Sequence, residues 1–245
     1  KYILIPKLKK KLNKKKKKKL PLKILLHAGG LSFYNLNKTF TESAIKASSI
    51  HQTNISILRS TIRSKKFIHE LSKKYKMASK IKLYHDDMFN ILSNIESQNV
   101  DLLLTDFPYG TLNKRNEWDV IIDYEQFWKY VDIICKPNAA IISTAQQPFT
   151  TKLISTNYSM FRYCLIWEKS KATGYLNSKK MPLKAHEDVV VFYKKLCTYN
   201  PQMTKGTPYD KGIAVRDTES YGKQTTAVHV KNEDGKRFPR SVIYF

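Results

Sequence analysis

The stretch Val100-Asp101-Leu102-Leu103-Leu104-Thr105 is an apolar run broken by a single acid. A run of this length without helical spacing suits a strand of a parallel sheet covered on both faces. It leads directly into Asp106-Phe107-Pro108-Tyr109-Gly110, where Pro and Gly supply ordinary turn chemistry. The pattern around it alternates. Residues 81–85 read as a strand, 88–95 as a helix, 124–135 as a helix and 139–143 as a buried strand. Residues 148–155 read as a helix, and 161–167 and 189–193 as strands. A polar loop at 112–119, a turn at Lys136-Pro137-Asn138 and a basic loop at 169–184 join them. Strands alternating with helices over about 110 residues indicate an α/β fold, a doubly wound and mostly parallel sheet.

The residues before this region look different. Eleven lysines fall within residues 1–19, and like charges at every helical spacing repel, so 1–22 is expected to be a disordered lysine-rich arm. A short apolar stretch at 22–26 stops at Gly29-Gly30. Thr41 is placed to cap a helix carrying Ala44, Ile45 and Ala47, and His51 to open a second helix through Leu58 and Ile62. Residues 23–79 therefore read either as a small helix-turn-helix-like module or as a plain helical connector. Together with the arm they form a basic, partly helical N-terminal extension.

The formal net charge is +24, of which 24 − 11 = +13 remains once the arm is set aside. Two causes fit: an AT-rich genome, which favours lysine codons, and selection for a polyanionic partner, with nucleic acid first. Three cysteines lie far apart at no metal-ligand spacing, which argues against a disulfide framework or zinc site and fits a reducing cytosol. No apolar run reaches the roughly 18 to 20 residues of a membrane span. The chain does not open with Met, so its reading frame is expected to start upstream.

Several separated motifs then agree with one another. Lys82-Leu83-Tyr84-His85-Asp86-Asp87 precedes Thr105-Asp106-Phe107-Pro108-Tyr109-Gly110. Asn116-Glu117-Trp118-Asp119 and Lys136-Pro137-Asn138-Ala139-Ala140-Ile141-Ile142 follow. Later come Trp167-Glu168-Lys169-Ser170-Lys171-Ala172-Thr173-Gly174, Lys184-Ala185-His186-Glu187 and Arg237-Phe238-Pro239-Arg240-Ser241-Val242. Taken together these resemble the DNA amino-methyltransferases, which carry an Asp-Pro-Pro-Tyr signature. The likeness is to a phage and restriction-modification branch whose catalytic motif precedes its cofactor glycines. It covers residues 80–245, with about 195–240 as a target-recognition insert.

The resemblance implies transfer of a methyl group from S-adenosylmethionine to the exocyclic N6 amine of adenine in double-stranded DNA, after the base leaves the duplex. It implies a bacterial or phage-encoded cytoplasmic enzyme without a membrane partner, and admits a restriction endonuclease partner. Asp106 and the carbonyl of Phe107 are then the acceptors that let the amine nitrogen become tetrahedral. Pro108 stiffens the turn, and Tyr109 gives the flipped ring a face to stack on. Phe107 departs from the signature's first proline. Asp87 is implied to bind the adenine moiety of the cofactor, together with Asp106; its other reading is a helix N-cap. Lys169, Lys171, Tyr175, Lys179 and Lys180 are candidate DNA contacts, each alternatively a solvated surface group. No metal is expected.

The relatives also carry a glycine-rich strand-to-helix turn after the region matched here, whereas this chain ends at Phe245. A C-terminally truncated, incomplete fold with weak or absent activity is therefore expected. Three alternatives stay open: cytosine-N4 methylation, a catalytically inactive DNA-binding remnant, and methylation of RNA or a protein amide by an enzyme whose glycines come first.

Overall fold

The computed structural model describes residues 23–28, 54–59, 81–84, 86–111, 119–215 and 227–244. The lysine arm, the Gly29-Gly30 turn, the helix expected from Thr41 and the loop at 112–118 lie outside the described residues. Two compact units are present, residues 200–240 forming one and the remainder the other.

In the larger unit the elements run β1 (Lys23–Ala28), β2 (Asn54–Arg59), β3 (Ile81–Tyr84), α1 (Met88–Leu92) and β4 (Val100–Asp106). They continue as α2 (Tyr124–Ile134), β5 (Cys135–Ala145), α3 (Phe149–Thr156), β6 (Phe161–Thr173) and β7 (Lys184–Phe192). The smaller unit holds β8 (Thr204–Lys205), β9 (Tyr209–Val215), β10 (Ala227–Asn232) and β11 (Lys236–Arg237). It consists of two antiparallel pairs, β9 with β10 and β8 with β11. The last strand, β12 (Val242–Tyr244), returns to the larger unit.

One eight-stranded sheet organises the larger unit, in the order β12-β6-β7-β5-β4-β1-β2-β3. Every neighbouring pair is parallel except the two made by β7, which runs against both β5 and β6. From β1 the chain winds outward through β2 to β3, then crosses back to β4 and winds the other way to β5. This is the doubly wound α/β arrangement, and its strand order reverses between β1 and β4.

That topology corrects two expectations. Residues 54–59 form a strand, not the second helix of a DNA-binding module. Moreover, β1 and β2 belong to the same sheet as β4, so no domain boundary falls at residue 80. Parallel pairing to neighbours many residues away overrides the weak local helix signals of this stretch.

The core lies between the sheet and its helices. In β4 no described position is exposed, and Leu103 is fully enclosed. Asp123 caps α2 by accepting from the backbone N–H of Gln126 at 3.0 Å. Tyr124, Phe127, Trp128, Val131 and Ile134 then fall on one face at helical spacing, and all are buried. Strand β5 starts at Cys135 immediately after α2, so the turn expected at Lys136-Pro137-Asn138 is instead the opening of a strand. No turn is needed because the amides of Gln98 and Asn99 cap the carbonyls of Ile133 and Ile134, at 2.9 and 2.8 Å. Pro137 lies exposed near the strand's start, a place that a residue without an N–H tolerates. Likewise β6 extends to Thr173, so Lys169 and Lys171 are strand residues and not part of a loop.

Candidate active site

Asp106 is the last residue of β4, level with Ala28 at the end of β1 on one side and Thr144 in β5 on the other. It stands at the carboxyl edge beside the point where the strand order reverses, which is where open α/β sheets form a ligand crevice. The Asp106 carboxylate is buried, 8% exposed. Two hydroxyls donate to its Oδ1: Thr144 Oγ1 in a short contact, and Tyr109 Oη at 3.2 Å. Among the described residues no donor reaches Oδ2. One carboxylate oxygen is thus fixed and the other remains available as an acceptor.

Burial is the largest influence on this group and raises its pKa to about 8. The two hydroxyl bonds favour the charged form and pull it back. Glu187 pushes it further up and Lys169 lowers it. Burial and the Asp106 charge together push the Tyr109 phenol well above its usual value, so Tyr109 stays a neutral donor.

The turn after β4 is held at Phe107, Tyr109 and Gly110. Phe107 points into the core, where its ring meets Tyr124 and Phe127 edge-on at centroid distances of 5.4 and 4.9 Å. Here the departure from proline has a structural use, because the aromatic ring anchors the turn to α2 in place of a pyrrolidine's stiffness. Tyr109 stacks on Phe149 of α3 at 4.8 Å. One of its faces is therefore taken, and only the opposite face can receive a ligand ring. Gly110 has φ +71°, and a Cβ there would lie 2.7 Å from Ile121 Cγ1. The Gly110 amide donates to the buried Asp119 at 2.9 Å, tying the turn to the chain entering α2.

A second charged pair lies on the same side of the sheet. Partners in adjacent strands share a face, and side chains alternate along each strand. The pairings Asp106 with Thr144, Thr144 with Val189, and Glu187 with Trp167 therefore align Asp106, Thr144, Glu187, Trp167 and Lys169 on one face. Lys169 forms a partly buried ion pair with Glu187 and sits 5.8 Å from the centroid of the Trp167 ring. Lys169, a candidate phosphate contact, is thus held by Glu187 on the face that carries Asp106. Lys171, near the end of β6, and Tyr175, Lys179 and Lys180, in the segment between β6 and β7, are exposed.

Asp87 caps α1, its Oδ1 accepting from the Phe89 amide at 2.8 Å. It lies exposed beyond the carboxyl end of β3, three strand spacings from β4, or about 14 Å. The N-cap reading is thus realised, and the side chain stays on the same edge as Asp106. Thr144 and Phe149 carry no signal in the sequence, and Asp119 enters it only as part of the motif Asn116-Glu117-Trp118-Asp119. Glu187 was noted only as part of a motif.

Cys135 is buried and its thiol pushed up to about 12 by burial, while Cys164 and Cys197 are half-buried free thiols. Among the described residues no cluster of His, Cys, Asp and Glu could hold a metal ion, and no helix is long and apolar enough to cross a membrane.

No family model and no curated protein matches the chain. Among solved structures it is similar to a precorrin-6Y C5,15-methyltransferase from Geobacter metallireducens, at 18% identity over 71% of this chain and 82% of that one, TM-score 0.45. It is also similar to a precorrin-8W decarboxylase from Methanobacterium thermoautotrophicum, at 11% identity over 70% and 82%, TM-score 0.45. An rRNA methylase from Streptococcus thermophilus gives 8% identity over 72% and 90%, TM-score 0.43. Likenesses this remote leave the fold assignment resting on the strand order and register described above.

Proposed function

We propose that this chain is a methyltransferase that uses S-adenosylmethionine to methylate the exocyclic amine of a nucleobase in DNA, with adenine N6 as the target. The observation that carries this reading is the Asp106 carboxylate at the carboxyl end of β4, oriented through Oδ1 and open at Oδ2. An exocyclic amine is a weak nucleophile because its lone pair is delocalised into the ring. A fixed, buried acceptor that takes one of its hydrogens favours the tetrahedral nitrogen and stabilises the positive charge that develops there. Burial strengthens that interaction. In this reading the ring face of Tyr109 turned away from Phe149 stacks on the same base.

The residues present fit the cofactor. The crevice lies beside Asp106 at the reversal of strand order, and Asp87 stands on the same edge three strands away. The buried Tyr124 hydroxyl, next to Phe107 and Phe149, has no partner among the described residues and offers a hydrogen bond to a ligand. When bound, the cofactor supplies an electrophilic methyl group. The protein supplies the acceptor, the orientation and the exclusion of water.

Strand β1, which ends immediately before Gly29-Gly30 in the sequence, pairs with β4. This favours a second reading, in which Gly29-Gly30 after β1 serve the cofactor and the substrate is an RNA base or an amide. Product analysis separates the two. Nucleosides released from treated DNA should carry N6-methyladenine; label found only in RNA or protein supports the second reading. Cofactor titration tests the shared part. Asp87→Asn, which keeps the N-cap, should weaken binding about tenfold if the carboxylate holds the cofactor. Unchanged affinity removes Asp87 from the cofactor site.

A further inference from the structure

Beyond the acceptor site, the segment between β6 and β7 has a shape without a structural use. Register places Val189 of β7 level with Thr144, and hence with Asp106. Lys184, the start of β7, lies five residues further, so the β6–β7 hairpin projects roughly 16 Å beyond the carboxyl edge that holds Asp106. Its outer end is linked back to the residue after β5 by Lys184 Nζ, which donates to Gln146 Oε1 at 3.1 Å.

The tip is a rigid turn. Gly174, at φ +90°, opens a 3-10 turn over Tyr175–Asn177. Asn177 N donates to Gly174 O at 2.9 Å, Ser178 N to Tyr175 O at 3.0 Å, and Lys180 N to Asn177 O at 2.8 Å. These bonds hold Tyr175 and Leu176 in solvent, 81% and 96% exposed, with Met181 52% exposed close behind. Lys179 and Lys180 follow in the same segment, and Lys171 and Lys184 lie in the strands that enter and leave it, all exposed. Adjacent, exposed apolar side chains mark an interaction surface, and the exposed lysines of the same hairpin favour an anionic partner.

We infer that this tip is a wedge that enters the DNA base stack, with Leu176 and Tyr175 filling the space left by the base delivered to Asp106. The inference rests on the DNA reading above. An enzyme that extrudes a base must compensate the lost stacking, and apolar side chains inserted between base steps do so while flanking lysines hold the phosphates. The hairpin stands on the same edge as Asp106, so the wedge and the acceptor face the duplex from one side. The partner is committed to duplex DNA because four lysines and an aromatic ring accompany the leucine.

The test is binding of the full chain to a labelled duplex of mixed sequence, intact or with one central abasic site. A hole already present removes the cost of opening the stack, so the abasic duplex should bind about tenfold tighter. Leu176→Ala, at a position whose side chain is solvated, should abolish this preference while leaving affinity for the intact duplex within about twofold. Lys179→Ala with Lys180→Ala should weaken both duplexes equally and reduce the salt dependence. Retention of the preference in Leu176→Ala overturns the wedge, as does its absence in the parent chain. Leucine-dependent binding to vesicles of equimolar phosphatidylcholine and phosphatidylserine, without any effect on DNA, also overturns it. Asp106→Ala should leave the preference intact, so that a failure of methyl transfer is distinguishable from a failure of the wedge.

Discussion

Thr144 Oγ1 donates to Asp106 Oδ1 across two adjacent parallel strands, joining residues 38 positions apart in the chain. Tyr109 Oη donates to the same oxygen, so the carboxylate is oriented from the neighbouring strand and from its own turn. Among the described residues no donor reaches Oδ2, the oxygen that the proposed reaction needs as its acceptor.

Replacing Thr144 by Val keeps the β-branched shape and removes the donor. The carboxylate then loses a charge-assisted hydrogen bond, a loss of about 1.5 to 3 kcal/mol to its ionised form. Methyl transfer at neutral pH should fall by at least about tenfold, through kcat more than KM. Thr144→Ser should restore most of it. Equal activity of the Val and wild-type proteins contradicts the assigned role.

The pKa of Asp106 makes the rate depend on pH. Only the ionised carboxylate accepts a hydrogen from the amine, and this group ionises near pH 8. Turnover should rise with pH up to about 8 and then level off. Glu187→Gln removes a neighbouring charge that raises this pKa and should shift the limb to lower pH. Lys169→Met removes one that lowers it and should shift the limb to higher pH. Stability follows with the opposite sense. The folded state holds the Asp106 proton where the unfolded chain, with a pKa of 3.8, has lost it. The contribution of Asp106 therefore becomes less favourable as pH rises from 3.8 to about 8. Thermal melts of Asp106→Asn should show a weaker decline over this window than the parent. Identical declines contradict the shift.

Phe107 stands where the resembling enzymes carry proline, yet restoring proline should not help. Its ring is 3% exposed and packs edge-on against Tyr124 and Phe127. Phe107→Ala should cost about 3 to 5 kcal/mol, the range for emptying an aromatic core position. Phe107→Pro should be destabilised comparably, because stiffness at the turn does not replace the lost contacts. Denaturant midpoints measure both. A proline variant at least as stable as the parent contradicts the anchoring role.

Part of this was legible in the sequence. The β4 run and its turn carry a local signal, and Asp123 followed by apolar residues at helical spacing marks α2. The strands β1 and β2 were not legible as partners of β4. Residues 54–59 do alternate, with Ile55 and Ile57 flanking Ser56, but the pairing that makes them a strand is with residues far along the chain. Thr144 was hidden for a related reason. A threonine in a buried strand is ordinary β chemistry, and only the register shows its hydroxyl facing Asp106. Lys169 read as a candidate DNA contact or a solvated group because its ion-pair partner, Glu187, is on the next strand.

The most direct test is incorporation of labelled methyl groups from S-adenosylmethionine into DNA by the full chain and by Asp106→Ala. The expected result is a low rate of transfer by the parent, none detectable from the variant, and DNA affinity of the variant within about twofold. Transfer that persists in Asp106→Ala, or a parent chain that neither binds the cofactor nor methylates DNA, contradicts the assignment of Asp106 as the acceptor of a DNA amino-methyltransferase.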